Sequence, residues 1–323
     1  MSGRVSPAHI RVIDEHADAS ALDSYVAIRN AATPDSPDSA EHARWARRTY
    51  PGDGVLLIAE EAGGRPVGTA SAGRIWMHGP EFERWWLGVW VIAEARRRGI
   101  GDALFRTASE LARAAGKTGF QTELSEAHAD GSRFLARRGF VEIDRMKAVR
   151  LDLATMAPPA IDAPDGILLT SLADRPDLLR AVHAVAVETF PDVPTGDEPL
   201  YAGTLEEFVA RDVGRLGVPR DAFVIAVDNA TGEVAGYGNL LLKPGSATVA
   251  FHDMTAVRRP WRGRGVATAI KGATIAWAIE HGLEGLETGN DETNGAMRAV
   301  NARLGYRPLP DEIGLQGPLA PEG

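Results

Sequence analysis

The sequence predicts an α/β protein built from two similar halves, and three observations support this fold class. Short apolar, β-branched runs alternate with helical patterns along the chain. In each half, one such run passes through an arginine- and glycine-rich turn into a helix. The third observation is a repeat whose matching residues lie 166 positions apart, the difference between the numbers in each pair: Val91 and Val257, Arg96 and Arg262, Gly99 and Gly265, Gly116 and Gly282, Thr122 and Thr288, Arg137 and Arg303, Gly139 and Gly305. This ungapped register indicates a tandem duplication.

The first half is predicted to alternate between strands and helices. Gly63-Gly64 separates two strand patterns, which favours a hairpin. The stretch 85–91 is apolar at nearly every position, as is typical of a strand buried on both faces. The predicted elements are a strand at 10–13, helices at 19–30 and 40–50, strands at 55–60, 66–76 and 85–91, a helix that opens at 96–101 and runs to about 115, a strand at 120–124, a helix near 132–137 and strands from 140 to 153.

The second half repeats this order after a segment at 154–165 that is rich in Pro and Ala and lacks periodicity, which is typical of a linker. Its predicted elements are a strand at 167–171, helices near 178–190 and 204–215, strands at 222–228, 233–242 and up to 257, a helix after 265, a strand at 286–290 and a helix at 295–304. We therefore expect a first domain at 1–153, a linker at 154–165 and a second domain at 166–323.

Composition excludes several classes of protein. At 323 residues and 34.5 kDa, with 44% hydrophobic and 24% charged residues, the chain is long enough for two ordinary domains. Its net charge of −9 argues against nucleic acid or an anionic membrane as the main partner. The absence of cysteine excludes disulfides and thiolate sites, and no histidine spacing predicts a metal. With no signal-like or membrane-spanning segment in the sequence, the cytoplasm is the expected location.

The turn between the strand that ends at Val257 and the following helix predicts an anion site. Its glycines allow close backbone approach to a ligand, and the first amides of a helix lack intrahelical acceptors where the helix dipole favours negative charge. Arg262 and Arg264 add donors suited to phosphate oxygens. The ligand that these features predict is a pyrophosphate.

These residues resemble a known family. The run Arg262-Gly263-Arg264-Gly265-Val266-Ala267 is similar to the Arg/Gln-x-x-Gly-x-Gly/Ala turn by which GCN5-related N-acetyltransferases (GNAT) bind the pyrophosphate of acetyl-coenzyme A. The resemblance implies a mixed, twisted sheet flanked by helices in each half, with acetyl-CoA where the fourth and fifth strands splay. It also implies that the amide of Val257 polarises the thioester carbonyl. The corresponding cofactor residues of the first half are Val91, Arg96, Arg98, Gly99 and Gly101.

Two other interpretations of the turn stay open at this point. One is a solvated surface loop. The other is a dinucleotide-binding fingerprint, although Thr268 stands at its third glycine position and at least three strands precede the turn, whereas the fingerprint normally follows the first strand. The position of the turn, its recurrence and the asparagines downstream favour acyl-CoA.

Asparagines follow the turn of the second half. The resemblance places Asn294 at a position that contacts the pantetheine arm, with Asn290 nearby, whereas capping of a helix is the structural alternative for Asn294. The family often has a tyrosine as general acid where this chain has Asn301 in the second half and Leu135 in the first. An amide cannot release a proton at neutral pH, but it can hydrogen-bond the sulfur. Asn301 is therefore expected to contact the thiolate without protonating it.

The repeat also predicts a chemical difference between the halves. Asn290, Asn301 and Asp253 align with Leu124, Leu135 and Leu87. Because a lone charge in a central strand is costly unless it is paired or faces a cleft, we expect Asp253 to be the general base. The alternative is a carboxylate paired at a strand bulge or exposed at an edge.

Other polar residues are weaker candidates. His252 and Glu287 are less favoured as bases, and His128 at the position of Asn294 is expected to be structural. The carboxylates of the loop 191–199 could attract an ammonium group, with a solvated loop as the alternative.

The sequence-based expectation is thus an acetyl-CoA-dependent N-acetyltransferase that acts on a primary amine of a small molecule, with catalysis in the second half. An acyl-CoA-binding pseudoenzyme or sensor and a dinucleotide-binding enzyme are the alternatives. No metal, nucleic acid or membrane partner is expected.

Overall fold

The computed structural model describes residues 8–13, 19–49, 54–194 and 199–322. Its residues divide into two compact units. The first comprises Met1–Trp76, Pro80–Ile143 and Ile313–Gly323, and the second comprises Met77–Gly79 and Asp144–Glu312. Each is an α/β unit with its own apolar core.

Among its described residues, the first unit has a mixed sheet and four α-helices. Its strands are β1 (His9–Val12), β2 (Gly54–Glu60), β3 (Pro66–Arg74), β4 (Arg84–Val91) and β5 (Gly119–Ser125). Its helices are α1 (Ala19–Ala32), α2 (Ala40–Thr49), α3 (Ile100–Ala114) and α4 (Ala129–Ala136). The first four strands pair antiparallel in chain order, and β4 pairs parallel to β5. In its main core, Leu57, Leu87 and Phe120 are almost fully buried.

The second unit begins with β6 (Val141–Asp152), most of whose residues belong to it. Its other strands are β7 (Ile167–Ser171), β8 (Val224–Asp228), β9 (Val234–Leu242), β10 (Val249–Val257), β11 (Gly285–Asp291) and β12 (Arg307–Pro308). Its helices are α5 (Leu179–Thr189), α6 (Leu205–Phe208), α7 (Val266–Glu280) and α8 (Gly295–Arg303). The sheet order is β6-β11-β10-β9-β8-β7, with β12 beside β6, and the β10–β11 pair is parallel.

Helices cover both faces of this second sheet. Neighbouring residues of β9 show this, because successive side chains of a strand point to opposite faces. Tyr237 contacts Phe208 of α6, with ring centroids 6.3 Å apart, whereas a side chain at Gly238 would meet Ile270 of α7. The predicted fold class, with a mixed sheet flanked by helices in each half, is confirmed.

The compact units do not follow the chain from end to end. The first unit contains the last strand of the chain, β13 (Glu312–Pro318), beside β5. In the second unit, β6 pairs with β11 over seven residue pairs from Asp152 to Met146. The divisions expected at 153 and 166 follow the sequence repeat and stay a prediction about the duplication. The strand β13 was not among the predicted elements.

The central strands of the two units, β4 and β10, differ because β10 contains a β-bulge. The β10–β9 register shifts between His252 and Thr255, whereas β4 pairs with β3 without a shift. From the end of its parallel pairing to its last residue, β10 therefore has one residue more than β4. The alignment of Asp253 with Leu87 was wrong in this detail, because the extra residue falls at Asp253 or Met254, where the repeat register is interrupted.

The helix predicted at 204–215 also changes character along its length. It begins at Thr204, where a capping box with Glu207 satisfies the first amides, and continues from α6 into a π-helical turn at Val209–Val213. The Gly214 amide donates to the Val209 carbonyl at 2.6 Å, which closes this wider turn. Turns of this kind are frequent at functional sites.

Candidate active site

The second unit contains an open slot between two strands. The parallel pairing of β10 with β11 ends at Phe251 and Glu287, although both strands continue to Val257 and Asp291. Beyond this point the backbone groups that face the gap have no ladder partner across it. A splayed pair of strands can therefore receive an extended ligand that hydrogen-bonds to the backbone.

The amide of Val257 is directed into this slot. Hydrogen-bonded and non-hydrogen-bonded pairs alternate along an antiparallel ladder. The Arg258 amide donates to the Ala235 carbonyl at 2.9 Å, so the neighbouring pair of Val257 and Gly236 is non-hydrogen-bonded. The N–H of Val257 consequently points away from β9 and toward the gap beside β11. This geometry is compatible with the predicted contact to a thioester carbonyl.

The turn that follows β10 leads directly into α7. Gly263 and Gly265 adopt left-handed conformations, with φ of 72° and 89°. Gly265 is the N-cap of α7 and no side chain caps the helix, so its first amides keep their hydrogen-bonding capacity. Val266 is buried, Ala267 is half-buried, and Arg264 is exposed. The binding of an anion by these residues stays a prediction.

Arg262 makes contacts within the protein that hold the turn. Its Nε donates to the Val257 carbonyl at 2.9 Å, which ties the turn to the end of the strand. Its Nη2 lies 2.7 Å from Asp192, which also accepts from Arg259 at 2.6 Å. The hydrogen bond from Arg259, followed by that from Arg262, lowers the pKa of Asp192. Arg262 therefore helps to shape the turn, and both Arg262 and Arg264 are exposed. Their contact with a pyrophosphate stays a prediction.

The asparagines fall into two groups. Asn301 is buried and donates to Oδ1 of Asn290 at 2.5 Å, while its own Oδ1 is buried without a hydrogen-bond partner. Such an orphaned acceptor is costly unless a ligand donates to it. Asn294 instead caps α8 by accepting from the Met297 amide at 3.2 Å. The structure brings Asn290 and Asn301 together and uses Asn294 as a cap.

Asp253 lies beside the bulge of β10 with an exposed carboxylate. It accepts a hydrogen bond from Asn239 Nδ2 at 3.1 Å, and Nη1 of Arg215 lies 3.8 Å from its other oxygen. Asn239 and Tyr237 alternate along β9, so they share the face opposite to α7. The alternative of a carboxylate paired at a bulge describes this local structure. The role of Asp253 as base stays a prediction.

Asp212 is a residue that sequence reasoning missed. It lies in the π-helical turn, where its Oδ2 accepts from Nε of the buried Arg211 at 2.9 Å. Burial raises the pKa of Asp212, and the charge of Asp253 adds to this against the opposing effect of Arg211. A charged residue in a helix ordinarily indicates a solvated face, and a π turn has no sequence signature that would have revealed it.

A buried polar group also escaped prediction. His252 Nδ1 lies 2.5 Å from the hydroxyl of Tyr306, and its Nε2 bonds Thr274 of α7. Burial, followed by the charge of Lys271, lowers the pKa of His252 well below its usual value, so it is neutral and enclosed. Burial alone lowers the pKa of Lys271 to about 7. His252 thus lies away from the face that carries Asp253. The other weak candidate, Glu287, is held by ion pairs.

The first unit repeats the geometry of the turn that precedes α7. The pairing of β4 with β5 ends at Trp86 and Gln121. The Arg96 Nε donates to the Val91 carbonyl at 3.0 Å, as Arg262 does to Val257. Gly99, with φ of 83°, is the N-cap of α3 and Gly101 lies in its first turn. At the position of Gly263, Arg97 adopts φ of 63°, which costs a non-glycine residue about 1–2 kcal/mol. Arg98 pairs with Glu61.

Beyond the turn, the first unit lacks the polar groups of the second. Leu135 is buried, Leu124 is half-buried, and His128 Nε2 lies 3.1 Å from Asp35. The ring of Trp90 covers Gly88, where a Cβ would lie 2.1 Å from it. The same ring packs edge-on against Tyr25 of α1, with centroids 6.1 Å apart. Trp90 thus fills the space beside the strand, where the residue 166 positions later is Ala256.

Two general features of the described residues bear on function. No described helix is both long and apolar enough to cross a membrane. Within residues 8–13, 19–49, 54–194 and 199–322, no three His, Asp or Glu side chains cluster as they would around a metal ion.

Comparison with known proteins identifies the same two regions. A model of the acetyltransferase (GNAT) family matches residues 22–140 and 180–306. Among solved structures, a tandem GNAT protein from the clavulanic acid biosynthesis pathway is 23% identical, with a TM-score of 0.78 over 98% of this chain and 100% of the other. A GCN5-related N-acetyltransferase from Sphaerobacter thermophilus is 17% identical, with a TM-score of 0.71 over 100% and 98%.

A third similar structure is a glucosamine N-acetyltransferase region of a fungal multi-domain β-N-acetylglucosaminidase, 15% identical with a TM-score of 0.73 over 96% of this chain and 38% of that one. At these identities the likeness shows the fold alone. No curated protein matches the chain in sequence.

Proposed function

Because the chain belongs to the acetyltransferase (GNAT) family, we propose that it transfers an acetyl group from acetyl-CoA to a primary amine of a small molecule, and that the second unit performs this transfer. The observation that carries the proposal is the slot between β10 and β11. The Val257 amide points into the slot, and the uncapped start of α7 follows the end of β10. Asn301, whose Oδ1 has no partner, bonds Asn290 of β11. These groups complement a thioester, a pyrophosphate and an amide N–H of acetyl-CoA.

The residues of the slot would divide the cofactor between them. The backbone of 263–267 and the guanidinium groups of Arg262 and Arg264 would bind the pyrophosphate. Asn290 and Asn301 would hydrogen-bond the pantetheine arm and the sulfur, while Asn294 holds the start of α8. When bound, acetyl-CoA supplies an activated acetyl group. The same division in the first unit would use Val91, Arg96, Arg98, Gly99 and Gly101.

The chain's own residues would promote the transfer chiefly by positioning. Holding an amine against a thioester can supply up to about 7–11 kcal/mol of the barrier. The Val257 amide would stabilise negative charge on the carbonyl oxygen. A carboxylate of the second unit would remove a proton from the amine, directly or through water, a contribution of about 10²–10⁴-fold, and Asp253 is the carboxylate that the sequence predicts for this step. Asn301 has no proton to give at neutral pH, so water would protonate the leaving thiolate.

Charge and location complete the proposal. The net charge of −9 favours a cationic acceptor over nucleic acid or an anionic membrane. We propose that the protein acts in the cytoplasm, where acetyl-CoA is available.

Activity and binding assays together would test the proposal. The purified protein is titrated with acetyl-CoA, free CoA and NAD by calorimetry, and thiol release is then measured with a panel of primary amines. We expect acetyl-CoA to bind, NAD not to bind, and thiol release to depend on an amine. Binding of acetyl-CoA without thiol release would favour an acyl-CoA sensor, and binding of NAD alone would favour a dinucleotide enzyme.

A further inference from the structure

One face of the second sheet carries polar atoms that the proposed cofactor site does not use. Tyr237, Asp212 and Asp253 belong to three separate segments, namely β9, the π-helical turn and the bulge of β10. Phe208, four residues before Asp212, packs edge-on against Tyr237 with ring centroids 6.3 Å apart. Arg215, three residues after Asp212, lies 3.8 Å from Asp253, whose other oxygen accepts a hydrogen bond from Asn239 on the same face as Tyr237. They therefore lie close together on the face opposite to α7.

Tyr237 combines a buried ring with a hydroxyl that makes no hydrogen bond within the described residues. Tyr237 is only 1% exposed, because its ring stacks on Phe223 at 5.3 Å and packs edge-on against Phe208. Buried tyrosine hydroxyls ordinarily find a hydrogen-bond partner. Within the described residues this hydroxyl has none, although two carboxylates lie near it. A ligand group that binds there would satisfy it.

Asp212 uses only one of its two carboxylate oxygens in its contacts with Arg211. Arg211 directs both its Nε and its Nη2 to the same oxygen, Oδ2, at 2.9 and 2.8 Å. Among the described residues, Oδ1 of Asp212 accepts no hydrogen bond. Arg211 also donates to the carbonyls of Tyr201 and Ala202, so it is held rigidly. The carboxylate is thus fixed in place with one free oxygen, and its side chain remains 22% exposed.

Asp253 completes the set with a loosely held oxygen. Its Oδ2 accepts from Asn239, whereas Oδ1 has only the 3.8 Å ion pair with Arg215, longer than a hydrogen bond. The site therefore offers three oxygens that can accept: Oδ1 of Asp212, Oδ1 of Asp253 and the hydroxyl of Tyr237. A primary ammonium has three N–H donors and no acceptor.

Together, these contacts let us infer that Asp212, Asp253 and Tyr237 form the acceptor site, which binds a primary ammonium group, and that Asp212 is the residue that receives its proton. The inference rests on the proposed function for the identity of the reaction. Its new content is the ammonium site and the assignment of the proton to Asp212. Asp253 would then orient the amine through its remaining contacts.

The ammonium gives one proton to Asp212, which becomes neutral, and the free amine attacks the thioester carbon. The new C–N bond forms as the C–S bond breaks, and a second proton passes from nitrogen through water to the departing thiolate. Asp212 finally releases its proton to solvent. The raised pKa of Asp212 suits it to the first step, because a stronger base takes a proton more readily.

Calorimetry of simple amines would test the site without requiring turnover. The probes are butylamine and 1,4-diaminobutane at pH 8, with 1-butanol and butyrate as the uncharged and anionic controls. We expect both amines to bind and both controls not to bind. Asp212→Asn and Asp253→Asn should each weaken amine binding at least about tenfold, since hydrogen bonds to charged groups contribute about 1.5–3 kcal/mol.

Two further variants provide a conservative change within the site and a control outside it. Tyr237→Phe retains the ring packing and should weaken amine binding several-fold while the protein stays folded. Asp177→Asn, an exposed carboxylate paired with Arg175, should leave binding unchanged. Thermal melts of every variant check the fold.

The outcomes separate this inference from the proposed function. Failure of both amines to bind, or binding that Asp212→Asn and Tyr237→Phe leave unchanged, would overturn the inference whatever the turnover. Amines that bind at this site without any thiol release from acetyl-CoA would support the site and reject the proposed reaction. Where turnover occurs, Asp212→Asn should lower kcat more than it raises KM and remove the acidic limb of the rate profile. An unaltered pH profile would exclude Asp212 as the proton acceptor.

Discussion

The turn before α3 in the first unit and the turn before α7 in the second share their backbone geometry, while the side chains around them differ in chemistry. Both turns begin a helix at a left-handed glycine, and in both an arginine bonds the last carbonyl of the strand. In the first unit Arg97 is held at positive φ in place of Gly263. Retention of this conformation despite its cost indicates that the shape of the turn is maintained in both units.

The cores of the two units differ in polarity, although their turns share one geometry. Lys271, Thr274 and Tyr306 form a polar group in the second unit, whereas the residues 166 positions earlier are Phe105, Ala108 and Phe140. Phe105 and Phe140 pack with ring centroids 6.2 Å apart. The first unit thus has an ordinary apolar core at these positions. The comparison indicates that the second unit carries costly polar groups that stability alone does not explain.

The largest effect is expected from a charge placed in the turn of the second unit. Gly263→Asp should weaken acetyl-CoA binding at that unit at least about 100-fold, since like charges in contact cost several kcal/mol. A Cβ at Gly263 meets nothing within 4 Å, and Asp tolerates positive φ, so the fold should persist. Calorimetry measures the affinity. Gly263→Asn, which adds the same bulk without charge, is the control. Equal affinities in the two variants would remove the pyrophosphate from this turn.

Next in size is a change in stability that sharpens the contrast between the cores. The pKa of Lys271 is lowered to about 7, so the unfolded chain takes up a proton between pH 10.5 and 7 that the folded chain does not hold. Stability therefore falls as the pH is lowered through this window. Lys271→Met should remove a penalty of a few kcal/mol and raise the melting temperature by roughly 5 °C or more at pH 7, with much less effect at pH 10.5. A gain that is the same at both pH values would contradict a desolvated lysine.

Loss of the carboxylate at the bulge comes third. Asp253→Asn should lower turnover at least about tenfold and leave acetyl-CoA affinity nearly unchanged, because its role concerns the amine. Steady-state thiol release and calorimetry measure the two quantities. Asp177→Asn serves as the matched change elsewhere in the same unit. Full activity of Asp253→Asn would leave Asp253 without a part in catalysis.

The smallest effect concerns the orphaned acceptor of Asn301. Asn301→Leu introduces the residue that the first unit has at Leu135, and should weaken acetyl-CoA binding by up to about tenfold, the contribution of one hydrogen bond. The reverse change, Leu135→Asn, should not improve binding, since Leu124 offers no polar neighbour. Affinity that is unaltered in Asn301→Leu would show that Oδ1 has no donor in the complex.

Most of the elements and the two glycine- and arginine-rich turns could be predicted because both depend on local sequence. Glycines at positive φ, apolar strands and helix patterns are visible within short windows, as Gly99 and Gly265 illustrate. The membership of β6 and β13 could not be predicted in this way. Strand pairing between distant segments depends on tertiary packing, and the periodicity of 141–152 is the same whichever strand lies beside it.

The same limit of local sequence applies to single residues of the candidate site. The polar character of Asp253 stood out in an apolar strand, but the bulge that presents it depends on how β9 pairs with β10. Asp212 was missed because its orientation follows from a π turn, and Tyr237 because an aromatic in a buried strand predicts only core packing. Its unpartnered hydroxyl is a property of the folded surroundings.

The assignment of transfer to the second unit is tested most directly by a matched pair of charged turns. Gly263→Asp and Arg97→Asp place a carboxylate at equivalent positions of the two units, and both are assayed for thiol release with acetyl-CoA and an amine that the unaltered protein accepts. Thermal melts confirm that both variants are folded. We expect Gly263→Asp to lose turnover and Arg97→Asp to retain most of it. Lost turnover in Arg97→Asp, with turnover retained in Gly263→Asp, would place the reaction in the first unit.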